Sequence, residues 1–484
     1  MLQKITGIKR QILISTCLYV GQTLSGLNSA WSGPIIPKLE DLKQSPLPYL
    51  LTETQISLVG SLIYLGSIPG PYILGWISNL KGRKPVLVTG GLFGILGYSI
   101  LAICSNLGML YSGRIFIGFS TGITNMMNIV YIGEMASTHI RGILLTIFGI
   151  CNTVGSIIMF SIGPFISYTI ACYVGLAITI AFTLGSLLLP ETPVFYFIKG
   201  EEKNAVKVLT DLGRLEDIDK ISEAMKHNLT TSTTKDWIEL FKLKSNRRAL
   251  FISTTLNVLQ HSSGVLAVIF FAASIFEIAG SSIDFNIAMI LIGLFRLSGS
   301  VISPLTVERI GRRIILMTST LICSLSMFLL GTYFYLNYIG YSGVNYVKWL
   351  PFLILIMFFI GFDFGLGIIP NTVTGEMFTV NARSNGSAVA LTIGWLSGFL
   401  ITTAFGDIVE NFGGHTAFWF FSCISAIGFV FTWIFVPETK GKSLMEIQEL
   451  LVYFEIFAVT PLRFSLLPAQ HSELPALVGS QLQT

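Results

Sequence analysis

Several long stretches of this chain lack any charged side chain, among them Ile12 to Gly33, Val86 to Cys104 and Ala417 to Val436. At 1.5 Å per residue each approaches the roughly twenty residues needed to cross about 30 Å of hydrocarbon. Further windows of the same kind predict helices near 12–33, 56–77, 86–104, 108–130, 142–164, 168–189, 250–275, 285–306, 314–337, 349–372, 385–406 and 416–436. The expected fold class is an all-α membrane protein with twelve transmembrane helices in two six-helix halves.

Composition agrees, since hydrophobic residues make up 52% and charged residues 12% of 484 positions, about half the charged share of soluble domains. Six cysteines are scattered, mostly within apolar stretches, without metal-ligand spacing. They read as packing residues, so no metal and no cofactor is expected. The net charge of +4 accompanies no nucleic-acid motif. Lys4, Lys9 and Arg10 precede the first apolar run as in a secretory leader, but no small-residue cleavage site follows, so a retained first helix is expected.

With the N-terminus in the cytosol, alternate connections collect Lys81, Arg83, Lys84, Arg141, Arg309, Arg312, Arg313 and Arg383. The opposite connections hold Lys38, Lys43 and Lys348. Cationic loops stay on the cytosolic side, which predicts cytosolic termini. The expected division is a first half over 1–189, a cytosolic linker of short amphipathic helices over 190–249, a second half over 250–437 and a tail over 438–484. Sequons at Asn228 and Asn385 then face the cytosol, where neither is glycosylated.

Short motifs of the first half recur in order in the second. Gly133-Glu134-Met135 with Arg141 matches Gly375-Glu376-Met377 with Arg383. Gly82-Arg83-Lys84 matches Gly311-Arg312-Arg313, and Pro190-Glu191-Thr192 matches Pro437-Glu438-Thr439. Each pair takes the same place relative to its six helices, which indicates a parallel repeat of the major facilitator kind.

These motifs, with Gly113-Arg114, Gln260 to Gly264, Glu308 to Arg313 and Pro437-Glu-Thr-Lys-Gly441, resemble the sugar porter family of that superfamily from about Gly26 to Gly441. The texture is closest to insect sugar porters similar to trehalose and hexose transporters. The resemblance implies alternating-access transport of a sugar through a lipid bilayer at the cell surface by a monomer, without catalysis. It also implies that Arg83, Arg114, Glu134, Arg141, Glu191, Glu308, Arg312, Glu376, Arg383 and Glu438 gather at cytosolic helix ends as gating charges. Asn79 and Leu80 stand where the family has an acid and an arginine, which predicts a weaker latch in the first half.

A sugar site needs amide groups and an aromatic face. Gln260, His261, Asn371 and Trp395 fall at family positions, though His261 replaces a glutamine and Asn371 a tryptophan. Gly149, Leu266 and Gly394 replace further polar family residues, which puts ordinary glucose recognition in question. Arg296 and Asp363 lie mid-helix, where ionisable groups mark functional sites, and are expected to pair. Asn28 stands where proton-coupled members carry an aspartate, which favours uniport, and it is expected with Gln260, His261, Arg296, Asp363, Asn371 and Trp395 among the substrate-binding residues. Two other readings stay open at this level: a carrier of a different, anionic solute, and a nutrient sensor that does not transport.

Overall fold

The computed structural model describes residues 7–218, 233–270, 275, 285–379, 382–442 and 444–453. Local chemistry sets several helix starts. Thr52 and Gln55 form a reciprocal capping box at the head of α3 (Glu53–Ser67). Asn106 caps α6 (Leu107–Met135) and Ser167 caps α8 (Tyr168–Leu188). Each cap supplies an acceptor to an amide the first helical turn leaves unpaired.

The first half also contains α1 (Ile8–Ala30), α2 (Ser32–Leu39), α4 (Pro69–Lys81), α5 (Arg83–Ala102) and α7 (Thr138–Ile162). Between the halves lie α9 (Pro193–Ile198), α10 (Glu202–Asp211) and α11 (Thr233–Lys242). The second half holds α12 (Lys244–Ser262), α13 (Val265–Phe270), α14 (Phe285–Ile310), α15 (Arg312–Tyr338), α16 (Leu350–Gly361), α17 (Ile369–Met377), α18 (Arg383–Phe412) and α19 (Gly414–Phe435), followed by α20 (Leu444–Tyr453). The linker residues 219–232, with Asn228, and the tail residues 454–484 lie outside the described set.

Among the described residues, ten helices are long and apolar enough to cross a membrane. The two remaining expected spans, α1 and the α12–α13 pair, are more polar but hold equivalent places in their halves. α1 packs on α7 so closely that a Cβ on Gly26 would meet the Asn152 carbonyl at 1.8 Å, and one on Gly155 would meet that of Thr23 at 1.9 Å. α12 packs likewise on α18, where Gly394 and Gly398 face Asn257 and His261.

Three spans are broken where the sequence suggested continuous helices. The second divides at Pro69, which begins α4. The seventh starts earlier than expected, at Lys244, and breaks at Gly264, whose φ of 92° is costly for a side-chain-bearing residue. The tenth passes through a π-helical turn, Phe362–Leu366, between α16 and α17. Single π turns of this kind often accompany functional sites.

The helix starts at Ile8, Arg83, Thr138, Lys244, Arg312 and Arg383 share one end of the bundle, the near end; α3 and α6 start at the opposite, far end. Bonds between the halves include Ser61 to Thr403 at 2.8 Å and Thr54 to Asp407 at 3.4 Å towards the far end. Gly406 lies against Ser57 there, a Cβ on it reaching the Ser57 hydroxyl at 2.7 Å. Deeper in the bundle Thr153 and Ser300 join α7 to α14 at 2.7 Å.

Candidate functional site: a near-end charge cluster and a central polar turn

Each half carries the same arrangement of charge at its near end. In the first, the Arg83 guanidinium donates to Glu134 at 2.9 to 3.1 Å and to the Ser78 carbonyl at 3.1 Å. The Glu191 carboxylate accepts the backbone amides of Arg83 and Lys84 at 2.9 and 3.2 Å. In the second, Arg312 donates to Glu376 at 3.1 Å, and Glu438 accepts the amides of Arg312 and Arg313 at 3.0 and 3.1 Å. Each carboxylate thus satisfies the exposed amides at the head of a transmembrane helix and complements its dipole.

Both approaches require the glycine before the arginine. Gly82 and Gly311 have φ of 103° and 102°. A Cβ there would fall 2.3 Å from Glu191 Oε2 and 2.4 Å from Glu438 Oε2. Burial raises the Glu191 carboxyl above its ordinary pKa, opposed by the amides of Thr192, Arg83 and Lys84 that favour its charged form.

Other near-end contacts tie the clusters to neighbouring chain. Arg214 donates to the Glu134 carbonyl at 2.7 Å and Thr439 to the Glu376 carboxylate at 2.6 Å. Arg141 donates to the Ala136 carbonyl at 3.2 Å. Arg383 begins α18 with an exposed side chain. The side chains of Glu308 and Asn79 lie outside the described set.

Arg114 is a correction to the expected near-end cluster. It lies two turns from the far end of α6, some 30 Å from Glu134 along the helix at 1.5 Å per residue. Its fully buried guanidinium donates to the carbonyls of Val59 and Gly60 and to the Ser32 hydroxyl, and lies 4.7 Å from the Trp31 ring centroid. It is therefore a far-end brace binding α2, α3 and α6 together.

Asn28 is a second correction. Its amide donates to Thr121 at 2.8 Å and accepts from the Tyr98 hydroxyl at 2.5 Å, with 1% of the residue exposed. Both groups of the amide are committed inside the first half, towards α5 and α6, and not to the space between halves.

The remaining polar residues converge on the broken tenth span. Arg296 of α14 donates to Asp363 through Nε at 2.7 Å and Nη2 at 3.3 Å, and its guanidinium lies 5.4 Å from the Phe359 ring centroid. Gln260 of α12 donates to the Gly367 carbonyl at 2.8 Å, one turn further along. Ser319 of α15 accepts the Leu366 amide at 2.8 Å and donates to the Gly361 carbonyl at 2.7 Å, so three helices hold this segment by side chains, as its irregular backbone demands at this depth.

His261 bonds the Asn257 carbonyl at 2.9 Å through Nδ1, and a carbonyl only accepts, so Nδ1 carries the proton. Its ring meets Tyr64 of the first half edge-on, centroids 6.1 Å apart. It also lies over two glycines of α18, where a Cβ on Gly394 would sit 3.3 Å from Nδ1 and one on Gly398 3.1 Å from Cδ2. Trp395 is buried on the same helix, whereas Asn371 of α17 is exposed and apart from this group.

Sequence reasoning missed Asn257. It is fully buried, and its Oδ1 has no partner among the described residues. Its place one turn before His261 on α12 was the available signal.

Residues 14–451 match the model of the family described as sugar (and other) transporter. This chain belongs to that family. Membership makes it a membrane transporter of the sugar class and not an enzyme. It is 32% identical over 448 residues to the facilitated trehalose transporter Tret1 of Polypedilum vanderplanki, covering 91% of this chain and 88% of the relative. The relative of the same description from Apis mellifera ligustica is 31% identical over 446 residues, covering 90% and 87%.

Solved structures establish the architecture of this family member. The proton:xylose symporter XylE bound to 6-bromo-6-deoxy-D-glucose superposes with a TM-score of 0.74 at 21% identity, covering 91% of this chain and 99% of that one. The inward open xylose transporter XylE from E. coli gives 0.73 at 20% identity, with 91% and 99% covered. The fold is that of the major facilitator superfamily.

Proposed function

We propose that this chain is a uniporter for a neutral sugar, trehalose or a hexose, working by alternating access in the cell membrane as a monomer with cytosolic termini. The observation that carries the substrate reading is the polar set where the seventh span breaks, Gln260 and His261 with the Asn257 Oδ1, unpartnered among the described residues, one turn before them, where an uncharged polyol finds both donors and acceptors. The curated relatives named for facilitated trehalose transport support the same choice.

Arg296 is neutralised by Asp363, which favours an uncharged solute over an anionic one. Asn28 offers no carboxyl for proton coupling, which favours uniport. The near end carries Arg83, Lys84, Arg141, Arg312, Arg313 and Arg383, which supports placing it in the cytosol. The described Arg83–Glu134 and Arg312–Glu376 pairs run within a half. They would make each near end a rigid body, while the Ser61–Thr403 and Thr54–Asp407 hydrogen bonds join the halves towards the far end. Rocking of two such bodies is the motion alternating access requires.

The test is uptake of labelled trehalose, glucose and fructose by a hexose-uptake-deficient host, with and without a proton uncoupler. Uncoupler-insensitive uptake of one of these sugars is expected. Uncoupler-sensitive uptake would replace uniport with symport. Surface expression without uptake of any of the three would overturn the sugar reading in favour of another solute or a sensor.

A further inference from the structure

A second site lies outside the transport path, between α12 and α18. A cleft of about 270 Å³ there is lined by Arg247, Leu250, Phe251, Thr254, Val389 and Ile393 among others. The covered faces of α18 show which way it opens. Gly394 and Gly398 meet His261 of α12, Thr403 and Gly406 meet Ser61 and Ser57 of α3, and Phe405 meets Phe418 and Phe421 of α19. The stripe Val389, Ile393, Leu396, Leu400 is turned away from these contacts, and its last three members are 38%, 40% and 56% exposed. Phe251, itself 53% exposed, packs on Phe431 and Phe435 and extends the apolar wall onto α19. Exposed apolar side chains at this depth face acyl chains.

The polar end of the cleft differs from its floor. Arg247 is exposed one turn into α12, and Lys244 and Arg383 are exposed at the near-end starts of α12 and α18. The adjacent Arg248 points elsewhere, donating to the carbonyls of Leu451 and Val452 at 2.7 and 2.9 Å. Two turns deeper, about 10 Å at 1.5 Å per residue, the buried Thr254 hydroxyl has no partner among the described residues. An apolar trough capped by a cation at headgroup depth is complementary to one class of molecule.

We propose that the α12–α18 cleft binds an anionic phospholipid, its phosphate on Arg247 and one acyl chain along Phe251, Thr254, Val389 and Ile393. On the orientation proposed above this is the anionic cytosolic leaflet, where a basic residue attracts lipid by about 1 kcal/mol. Binding to the purified chain in detergent does not depend on that orientation or on transport, so it tests the site separately.

The experiment uses the full chain in dodecyl maltoside with phosphatidylserine carrying a photoactivatable acyl chain, and maps the adducts by mass spectrometry. Adducts are expected on the segments around Leu250 to Thr255 and Val389 to Ile393, displaced by unlabelled phosphatidylserine but not by phosphatidylcholine. Arg247→Glu, which removes the cap, and Val389→Trp, which fills the trough, should each lower them by about fivefold or more. Two variants at different ends guard against misfolding of either, judged by monodispersity. Equal competition by phosphatidylcholine, adducts spread evenly over the belt, or full labelling in both folded variants would overturn the proposal. Displacement of these adducts by inorganic phosphate as effectively as by phosphatidylserine would reduce it to a free-anion site and overturn it as well.

Discussion

Arg296 and Asp363 form a buried, two-point ion pair that joins α14 to the π turn of the tenth span, with side chains 9% and 7% exposed. Neither charge is tolerable alone at that depth, so the pair acts as a unit. Gly299, one turn from Arg296, lets the helices meet, since a Cβ there would lie 2.8 Å from the Ile360 carbonyl and 3.3 Å from Asp363 Cβ.

Removing one member should therefore be worse than removing both. Arg296→Ala strands a carboxylate and is expected to destabilise by about 3–5 kcal/mol, whereas Arg296→Ala with Asp363→Ala should recover much of the loss. Thermal unfolding in detergent reads the stability, and sugar uptake reads the function. Equal damage in the single and double variants would refute the pairing.

Gly82→Ala and Gly311→Ala should each impair the protein more than Glu191→Gln or Glu438→Gln. A side chain in that backbone region costs about 1–3 kcal/mol, and it also displaces the capping carboxylate. The glutamine variants keep one acceptor oxygen on the helix amides. Surface expression and uptake rates, compared pairwise, decide the order.

Gly406→Trp should hold the far end apart, because even a Cβ on this residue crowds Ser57. Net uptake is expected to fall to background while the protein remains folded. A cysteine placed at the far-end seam should then react faster with a membrane-impermeant maleimide than in the parent. Unchanged labelling would separate this glycine from closure.

The His261 ring and the glycines of α18 should behave as a coupled set. Gly398→Leu is expected to abolish uptake, since a Cβ already meets His261 and Leu266 at 3.1 Å. His261→Ala should partly restore room and give a positive interaction in a double-mutant cycle. Strict additivity of the two effects would count against direct packing.

Arg114→Gln should reduce stability without the loosening of the first half's near end expected of Arg83→Gln. Its donors hold the Val59 and Gly60 carbonyls at the far end, whereas Arg83 holds Glu134 at the near end. Thermal unfolding together with maleimide accessibility of a near-end cysteine separates the two.

Hydropathy alone, in apolar runs such as Val86 to Cys104, located the spans. The recurrence of Gly-Arg and Pro-Glu-Thr fixed the six-plus-six repeat. Composition and motif order carry such features, because a bilayer demands length and lack of charge from any helix that crosses it. Sequence did not reveal where polar side chains point. A helix apolar on all sides, such as α16, has no polar face to mark its orientation. Asn28 therefore looked like a residue of the central space until Tyr98 and Thr121 were seen to hold it, and Arg114 like a near-end charge until its place at the far end of α6 was known. The breaks at Pro69, Gly264 and Phe362–Leu366, and the convergence of Gln260 and Arg296 on the last of them, arise from packing between helices distant in sequence. Only the folded arrangement brings those groups within hydrogen-bond distance.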